Sequence, residues 1–215
     1  AREEADASVR VTLDGEAIRD LSEGYLGSVG ERRWEASWPL GVLLLADGDL
    51  TRAARRLTPP SDPSGGGPWR TASYFMLDCG SGITPEREER LVNDPARDVV
   101  GEQNAFYRAT CPAWDADLGD DFRRGFETRL PTVVVHGTWD LATPLENALQ
   151  ILPRFRDATF VRVERGSHGA LDEALRHSDA FRAALIDFLS TGERGGLPDR
   201  VELPEPDWVT MEELK

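Results

Sequence analysis

The sequence lacks any long apolar run. A membrane-spanning helix needs about 20 apolar residues, and the longest run here, at 39–46, is far shorter. Positive charge is also scarce: 25 Lys and Arg stand against 39 Asp and Glu, and the formal net charge is −14 over 215 residues. Nucleic-acid backbones and anionic membrane surfaces require clustered basic residues, so both are poor partners for this chain. The simplest interpretation is a soluble protein with an acidic surface.

Cysteine is nearly absent as well, with only Cys79 and Cys111 in the chain. No further pair of His or Cys lies at ligand spacing, so the sequence makes a poor zinc site. A disulfide is the favoured interpretation if the protein is exported, and two reduced core cysteines are the alternative. We predict neither a metal nor a cofactor.

A third absence concerns nucleophiles. The chain contains no Gly-x-Ser-x-Gly segment, the strand-to-helix turn that exposes a reactive serine. Ser28 has glycines nearby but no preceding strand. Ser81 follows an apolar run but lacks the helix that would supply an oxyanion amide. Both are interpreted as turn serines.

The first half of the chain shows helical patterning broken by turn signals. We predict a strand at 9–13, helices at 17–26, 31–45, 49–57 and 85–91, a flexible loop at 58–68, and a strand-like or buried apolar run at 72–77. Thr84 followed by Pro85 is typical of a helix start.

From residue 131 the pattern changes to alternating strands and helices. Strands are predicted at 132–135 and 158–163, and helices at 145–152 and 171–189. This alternation predicts an α/β fold with parallel strands. The predicted organisation is a helical region at 1–128, an α/β region at 129–190 and an extended surface tail at 191–215.

Two parallel strands do not make a stable sheet, because such sheets are buried on both faces and need several strands. The strand at 132–135 is apolar on both faces and predicts a neighbour on each side. We therefore expect the remaining strands to come from a part of the protein outside this sequence.

Two residues stand where chemistry is expected. Asp140 follows the first of these strands, and His168 follows the second between Gly166 and Gly169. An acid and a histidine at strand ends, in this order, are two members of a Ser-His-Asp triad. Asp140 is alternatively a turn or helix-cap residue, and His168 a structural histidine. His136 is expected to pack or to bond its own loop, and His177 to be solvated.

These residues lie in two blocks that resemble a known family. The stretch GTWDLATP at 137–144 and the stretch GSHG at 166–169 resemble the C-terminal part of α/β-hydrolases. They are closest to the tripeptidyl-aminopeptidase-like group of the proline iminopeptidase family. The Trp38-Pro39 pair and the spacing of Cys79, Cys111 and Trp114 resemble that group's cap.

The resemblance implies the C-terminal part of an α/β-hydrolase with a mainly helical cap, whose sheet is completed by an N-terminal half not in this chain. The serine of that family precedes the acid and the histidine, so it should lie before Ala1 on a partner polypeptide. It also implies that Asp140 and His168 are catalytic and that Cys79 and Cys111 are disulfide-linked. Glu35 and Glu102 are candidate binders of a substrate amine or simply solvated carboxylates.

The activity implied is serine hydrolysis by an aminopeptidase-like peptidase that removes N-terminal residues or short peptides. An esterase or non-peptide amidase on the same fold is one alternative, and a non-catalytic binding module is another. The chain has no initiator Met and no signal peptide, which is typical of a processed or trimmed piece. We expect an extracytoplasmic protein, and the preference for arginine over lysine is typical of a high-GC, bacterial genome.

Overall fold

The computed structural model of the chain describes residues 14–15, 18–19, 40–51, 72–102, 104–206, 208, 210 and 212. The predicted strand at 9–13 and the predicted loop at 58–68 lie outside the described residues. Of the predicted helix at 31–45, the described part is helical from residue 40 and continues to residue 46. Leu40 and Leu44 are its buried positions.

The described part of the helical region continues with five short helices. They are α1 (Ala72–Ser81), α2 (Pro85–Val92), α3 (Arg97–Val100), α4 (Ala105–Thr110) and α5 (Gly119–Arg124), with a 3-10 turn at Cys111–Ala113 between the last two. Helix α2 was predicted and is confirmed. The Thr84 hydroxyl accepts a hydrogen bond from the Arg87 amide at 3.3 Å, and Pro85 opens the helix.

Helix α1 overturns the prediction of a strand-like or buried run at 72–77. The segment holds no β-branched residue, and its Ala, Met and Leu are strong helix formers. Its apolar content also does not mean burial, because Met76 and Leu77 are 51% and 72% exposed. Helix α1 instead buries Cys79 and Gly80.

Covalent, aromatic and polar contacts hold these helices together. Cys79 and Cys111 form a disulfide that links α1 to the turn after α4. The Phe75 ring stacks on Trp114 with centroids 5.1 Å apart, and the Tyr107 hydroxyl donates to Asp78 at 2.9 Å. Burial of the Tyr107 hydroxyl, together with the hydrogen bonds of this hydroxyl to Tyr74 and Asp78, raises the pKa of Tyr107 well above its ordinary value.

The second region is built on a parallel sheet of three strands in the order β1-β2-β3. These strands are β1 (Thr132–Gly137), β2 (Ala158–Glu164) and β3 (Arg200–Glu202). Helix α6 (Leu145–Ile151), extended by a 3-10 turn at Leu152–Arg154, connects the first two strands. The predicted alternation of strands and helices is therefore present. Strand β3 was not predicted, because three residues with one buried side chain carry no periodic signal.

The helix predicted at 171–189 is two helices, α7 (Ala170–His177) and α8 (Asp179–Thr191). Ser178 separates them in an extended conformation, and its hydroxyl accepts a hydrogen bond from the Phe181 amide at 3.1 Å. This is an N-cap, in which a serine side chain satisfies an amide that lacks a partner in the helix. The apolar residues keep a helical spacing across this break, so the sequence pattern alone does not show that the helix is interrupted.

The hydrophobic core lies between the sheet and the last two helices. Its buried members are Val161, Val163, Ala170, Ala174, Phe181, Val201 and Leu203. Val133 and Val135 of β1 pack against it from the side of the sheet. Because β1 and β2 are parallel, their carboxyl ends meet at one edge of the sheet, and the loops that follow them carry Asp140 and His168.

Candidate active site

The two loops at this edge are held against each other by backbone contacts. Thr138 and Trp139 donate their amides to Val163 O at 3.0 Å and Gly166 O at 2.9 Å. Gly137 lies where the loops cross, and a Cβ placed on it would be 2.2 Å from Gly166 O. Only glycine allows so close an approach of backbone to backbone. The crossing therefore fixes the position of Asp140 relative to the histidine loop.

Asp140 is buried, with 7% of its surface exposed. Its Oδ1 accepts the Thr143 amide at 2.8 Å, and its Oδ2 accepts the Thr143 hydroxyl at 2.7 Å. Burial raises the pKa of the Asp140 carboxyl, but the hydrogen bonds from Thr143 and His168 outweigh this and bring it below its ordinary value. Asp140 is thus an ionised carboxylate at neutral pH. Its two bonds to Thr143 are also the contacts that the alternative interpretation, a turn residue, predicts.

His168 faces this carboxylate through one ring nitrogen. Nδ1 lies 3.0 Å from Asp140 Oδ2 and 3.2 Å from Oδ1. A carboxylate only accepts, so Nδ1 carries the proton and Nε2 of the neutral ring is free to take one. The imidazole side chain is 40% exposed, and within the described residues its hydrogen bonds are made by Nδ1. This is the arrangement of a general base with its orienting acid.

His136 also lies close to the Asp140 carboxylate. Its Nδ1 donates to Gly137 O at 2.9 Å, which agrees with the expectation that it bonds its own loop. Its Nε2 is 3.7 Å from Asp140 Oδ2, a proximity that the sequence analysis missed. The separation of four residues between His136 and Asp140 in the sequence could have indicated this proximity.

The other candidates are engaged elsewhere or lie outside the described residues. Ser28 and Glu35 are outside them. The Ser81 hydroxyl donates to Asp78 O at 3.1 Å within α1, and Glu102 is ion-paired with Arg97 and Arg108. Of the residues that the structure describes, no serine hydroxyl is hydrogen-bonded to the His168 ring.

Two supporting residues were not identified from the sequence. Thr143 donates twice to Asp140, and its place in the GTWDLATP block was the available signal. Glu173 lies buried in α7 and binds the histidine loop. A glutamate in an acidic first turn has no signal that separates it from a solvated carboxylate. In the described part of the chain, no group of three or more His, Cys, Asp or Glu side chains is arranged to hold a metal ion.

A buried carboxylate that orients an imidazole at the carboxyl edge of a parallel sheet is typical of α/β-type hydrolases. Residues 97–200 match the model of a family described as TAP-like protein, which belongs to the α/β-hydrolases. The match runs from the start of α3 to the first residue of β3 and includes both Asp140 and His168. No curated protein and no solved structure matches the chain. Among the described helices, none is long and apolar enough to cross a membrane. The family match supports a hydrolase.

Proposed function

We propose that this chain supplies the acid and the base of a Ser-His-Asp serine hydrolase, and that the serine lies on a separate N-terminal polypeptide. The observation that carries the proposal is the 3.0 Å contact from His168 Nδ1 to the buried Asp140 carboxylate. That contact leaves Nε2 to meet a nucleophile from outside the described residues. Both residues also lie inside the segment that is similar to TAP-like proteins.

The proposed reaction is acyl transfer through a covalent intermediate. The serine Oγ–H bond breaks as its proton passes to His168 Nε2, and Oγ bonds to the carbonyl carbon of the substrate. The imidazolium, held by Asp140, then protonates the leaving nitrogen as the bond from carbon to nitrogen breaks. In the second half, the oxygen of a water molecule bonds to the acyl carbon as its proton passes to the same imidazole. The imidazolium then returns that proton to serine Oγ as the bond from the acyl carbon to Oγ breaks, which releases the acid and restores the serine.

The lateral side of the sheet along β1, as distinct from the edge where the strands end, supports the proposal of a partner polypeptide. Among the described strands, β1 pairs only with β2, so its other edge offers unpaired amides and carbonyls to a further parallel strand. Exposed apolar side chains lie just before β1 in the chain and in α6, which follows it, with Leu130 at 71% and Ile151 at 50%. An N-terminal half that continues the sheet beyond β1 would cover them.

The substrate is proposed to be a peptide with a free N-terminus, from which single residues or short peptides are removed. This rests on the similarity to TAP-like proteins. An extracytoplasmic location is proposed with it, because the Cys79–Cys111 disulfide persists in oxidising compartments.

Labelling with a fluorophosphonate probe tests the location of the nucleophile. In an active native preparation, the label is expected on a polypeptide other than the 23.8 kDa chain, and His168→Ala should abolish it. A label on the 23.8 kDa chain itself, or activity from that chain as the sole species by intact mass, would contradict the proposal. A panel of aminoacyl and tripeptidyl arylamides against simple esters then separates a peptidase from an esterase.

A further inference from the structure

Glu173 is a buried carboxylate directly beneath the histidine loop. It lies in the first turn of α7 and is 4% exposed. Its Oε2 accepts the Ser167 amide at 2.8 Å, and its Oε1 accepts the Ser167 hydroxyl at 3.0 Å. The Ser167 hydroxyl in turn accepts the Gly169 amide at 3.2 Å. The backbone on both sides of His168 is therefore tied to this one carboxylate.

The loop is anchored on its other side by the strand ends. Gly166 O accepts the Trp139 amide, and the Arg165 amide donates to the Thr138 hydroxyl at 2.9 Å. These bonds fix the start of the loop relative to Asp140 but do not reach residues 167–169. The contacts of Glu173 restrain residues 167–169, which the bonds to the strand ends do not reach.

A carboxylate is a costly residue to bury for packing alone, since it loses its hydration. Hydrogen bonds to a charged acceptor are about twice as strong as neutral ones, so this group can hold a short loop in a single conformation. A negative group near the start of α7 is also favoured by the helix dipole. The position of Glu173 therefore suits a residue that restrains the backbone of the histidine loop.

We propose that Glu173 is a positioning residue for His168: through Ser167 and Gly169 it holds the imidazole with Nδ1 on Asp140 and Nε2 outward. Its effect on turnover rests on the proposed function. Its effect on the ring does not, because the contact between His168 and Asp140 lies within this chain.

The test combines three variants with a matched control. Glu173→Ala removes both bonds to Ser167, and Glu173→Gln keeps the shape and one acceptor. Ser167→Ala removes the hydroxyl bond to Oε1 and the link to Gly169, and keeps the amide bond to Oε2. The control is Asp172→Ala, which deletes a neighbouring exposed carboxylate on the same helix. All are made in the full chain and compared with the unchanged protein.

The first measurement is the ¹⁵N spectrum of the His168 ring, which reports the tautomer. The wild type and Asp172→Ala are expected to show the proton on Nδ1, and Glu173→Ala a mixture of tautomers. Glu173→Gln and Ser167→Ala should lie between, and they decide the matter if Glu173→Ala does not fold. A wild-type His168 spectrum in the folded Glu173 variants would overturn the proposal.

The second measurement is turnover by the complex with the nucleophile-bearing half. A misplacement of about 1 Å costs about 10²-fold in rate, so Glu173→Ala should lower kcat by about that factor with KM nearly unchanged. Glu173→Gln should recover part of the loss. An unchanged kcat for Glu173→Ala contradicts the positioning role. No turnover in the wild-type complex contradicts the proposed function instead, and the tautomer measurement still decides the role of Glu173.

Discussion

The helical region at 72–124 and the sheet region at 132–203 are stabilised in different ways. Helices α2, α4 and α5 bury no residue, and large apolar side chains such as Leu118 and Phe122 are more than half exposed. In the sheet region Val161, Val163 and Phe181 are completely buried. The candidate site lies entirely in the second region, so its geometry depends on packing that the chain supplies itself.

The two regions also meet at a specific contact. The Arg87 guanidinium of α2 donates to Asn147 Oδ1 of α6 at 2.6 Å, and α6 follows the loop that carries Asp140 and Thr143. A few partly exposed polar contacts contribute little stability compared with a buried apolar core. The comparison therefore predicts that changes in the sheet region disturb the site and the fold strongly, and that changes in the helical region act locally.

The largest expected effect is on activity and comes from the site. Asp140→Asn removes the acceptor that fixes the His168 tautomer, and the equivalent change in a known triad costs about 10⁴-fold in kcat. We expect a loss of similar size in the complex with the nucleophile-bearing half, measured as kcat on an arylamide substrate. Asp121→Asn in the helical region, which breaks only an exposed ion pair with Arg124, should change kcat less than about 10-fold. Equal losses in both variants would remove the distinction between the regions.

The next effect is on stability and compares one aromatic residue from each region. Phe181→Ala empties a fully buried site and should lower the free energy of unfolding by about 3–5 kcal/mol. Phe106→Ala in α4 loses a ring that is 37% exposed and 5.8 Å from Phe75, which is worth about 1 kcal/mol. Urea unfolding of the two variants measures both values. A Phe106 variant as unstable as the Phe181 variant would mean that the helical region contributes equally to the core.

The third effect is confined to the helical region. Replacing both Cys79 and Cys111 by serine opens a loop whose closure is worth about 3–4 kcal/mol. Because the disulfide joins α1 to the turn after α4, amides of these two helices should exchange faster with solvent while those of β2 stay protected. Hydrogen exchange resolved by segment measures this. Faster exchange in β2 to the same degree would show that the two regions unfold as one unit.

Most of the sheet region could be predicted from the sequence, and less of the helical region. The run at 132–135 is β-branched and short, which leaves a strand as the natural structure, and the glycine-flanked His168 points to a functional loop. The apolar run at 72–77 has no such bias and was assigned wrongly. In the helical region many apolar residues are exposed, so an apolar residue there does not indicate a buried position. The spacing of apolar residues, which is the main sign of helices and strands in a sequence, is therefore less informative in that region.

Within the candidate site, the sequence indicated that Asp140 and His168 belong together, and the structure shows their contact; the sequence did not indicate the residues that support them. Asp140 and His168 lie in short motifs with a chemical rationale. Thr143 and Glu173 act through hydrogen bonds that exist only once the loops are placed, and β3 is too short to show a period. The assignment of Asp140 and His168 as catalytic and the domain boundaries at 128 and 190 stay predictions.

The smallest expected effect is on the pH dependence of stability and tests the bonds around Asp140. The pKa of its carboxyl is lowered in the folded protein by the Thr143 and His168 bonds, which outweigh burial. Its ionisation therefore stabilises the fold fully above the unfolded value of about 3.9, and this contribution is lost as the pH falls through the folded value. Thr143→Val removes one donor to Oδ2, so the folded pKa should rise, and the contribution should be smaller and fully lost at a higher pH. A ¹³C titration of the Asp140 carboxyl, together with urea unfolding from pH 2 to 7, measures both. If the midpoint of the Asp140 titration is the same in Thr143→Val as in the wild type, the Thr143 hydroxyl does not stabilise the carboxylate. Burial in the sheet region cannot explain the lowered pKa in its place, because burial raises the pKa of a carboxyl.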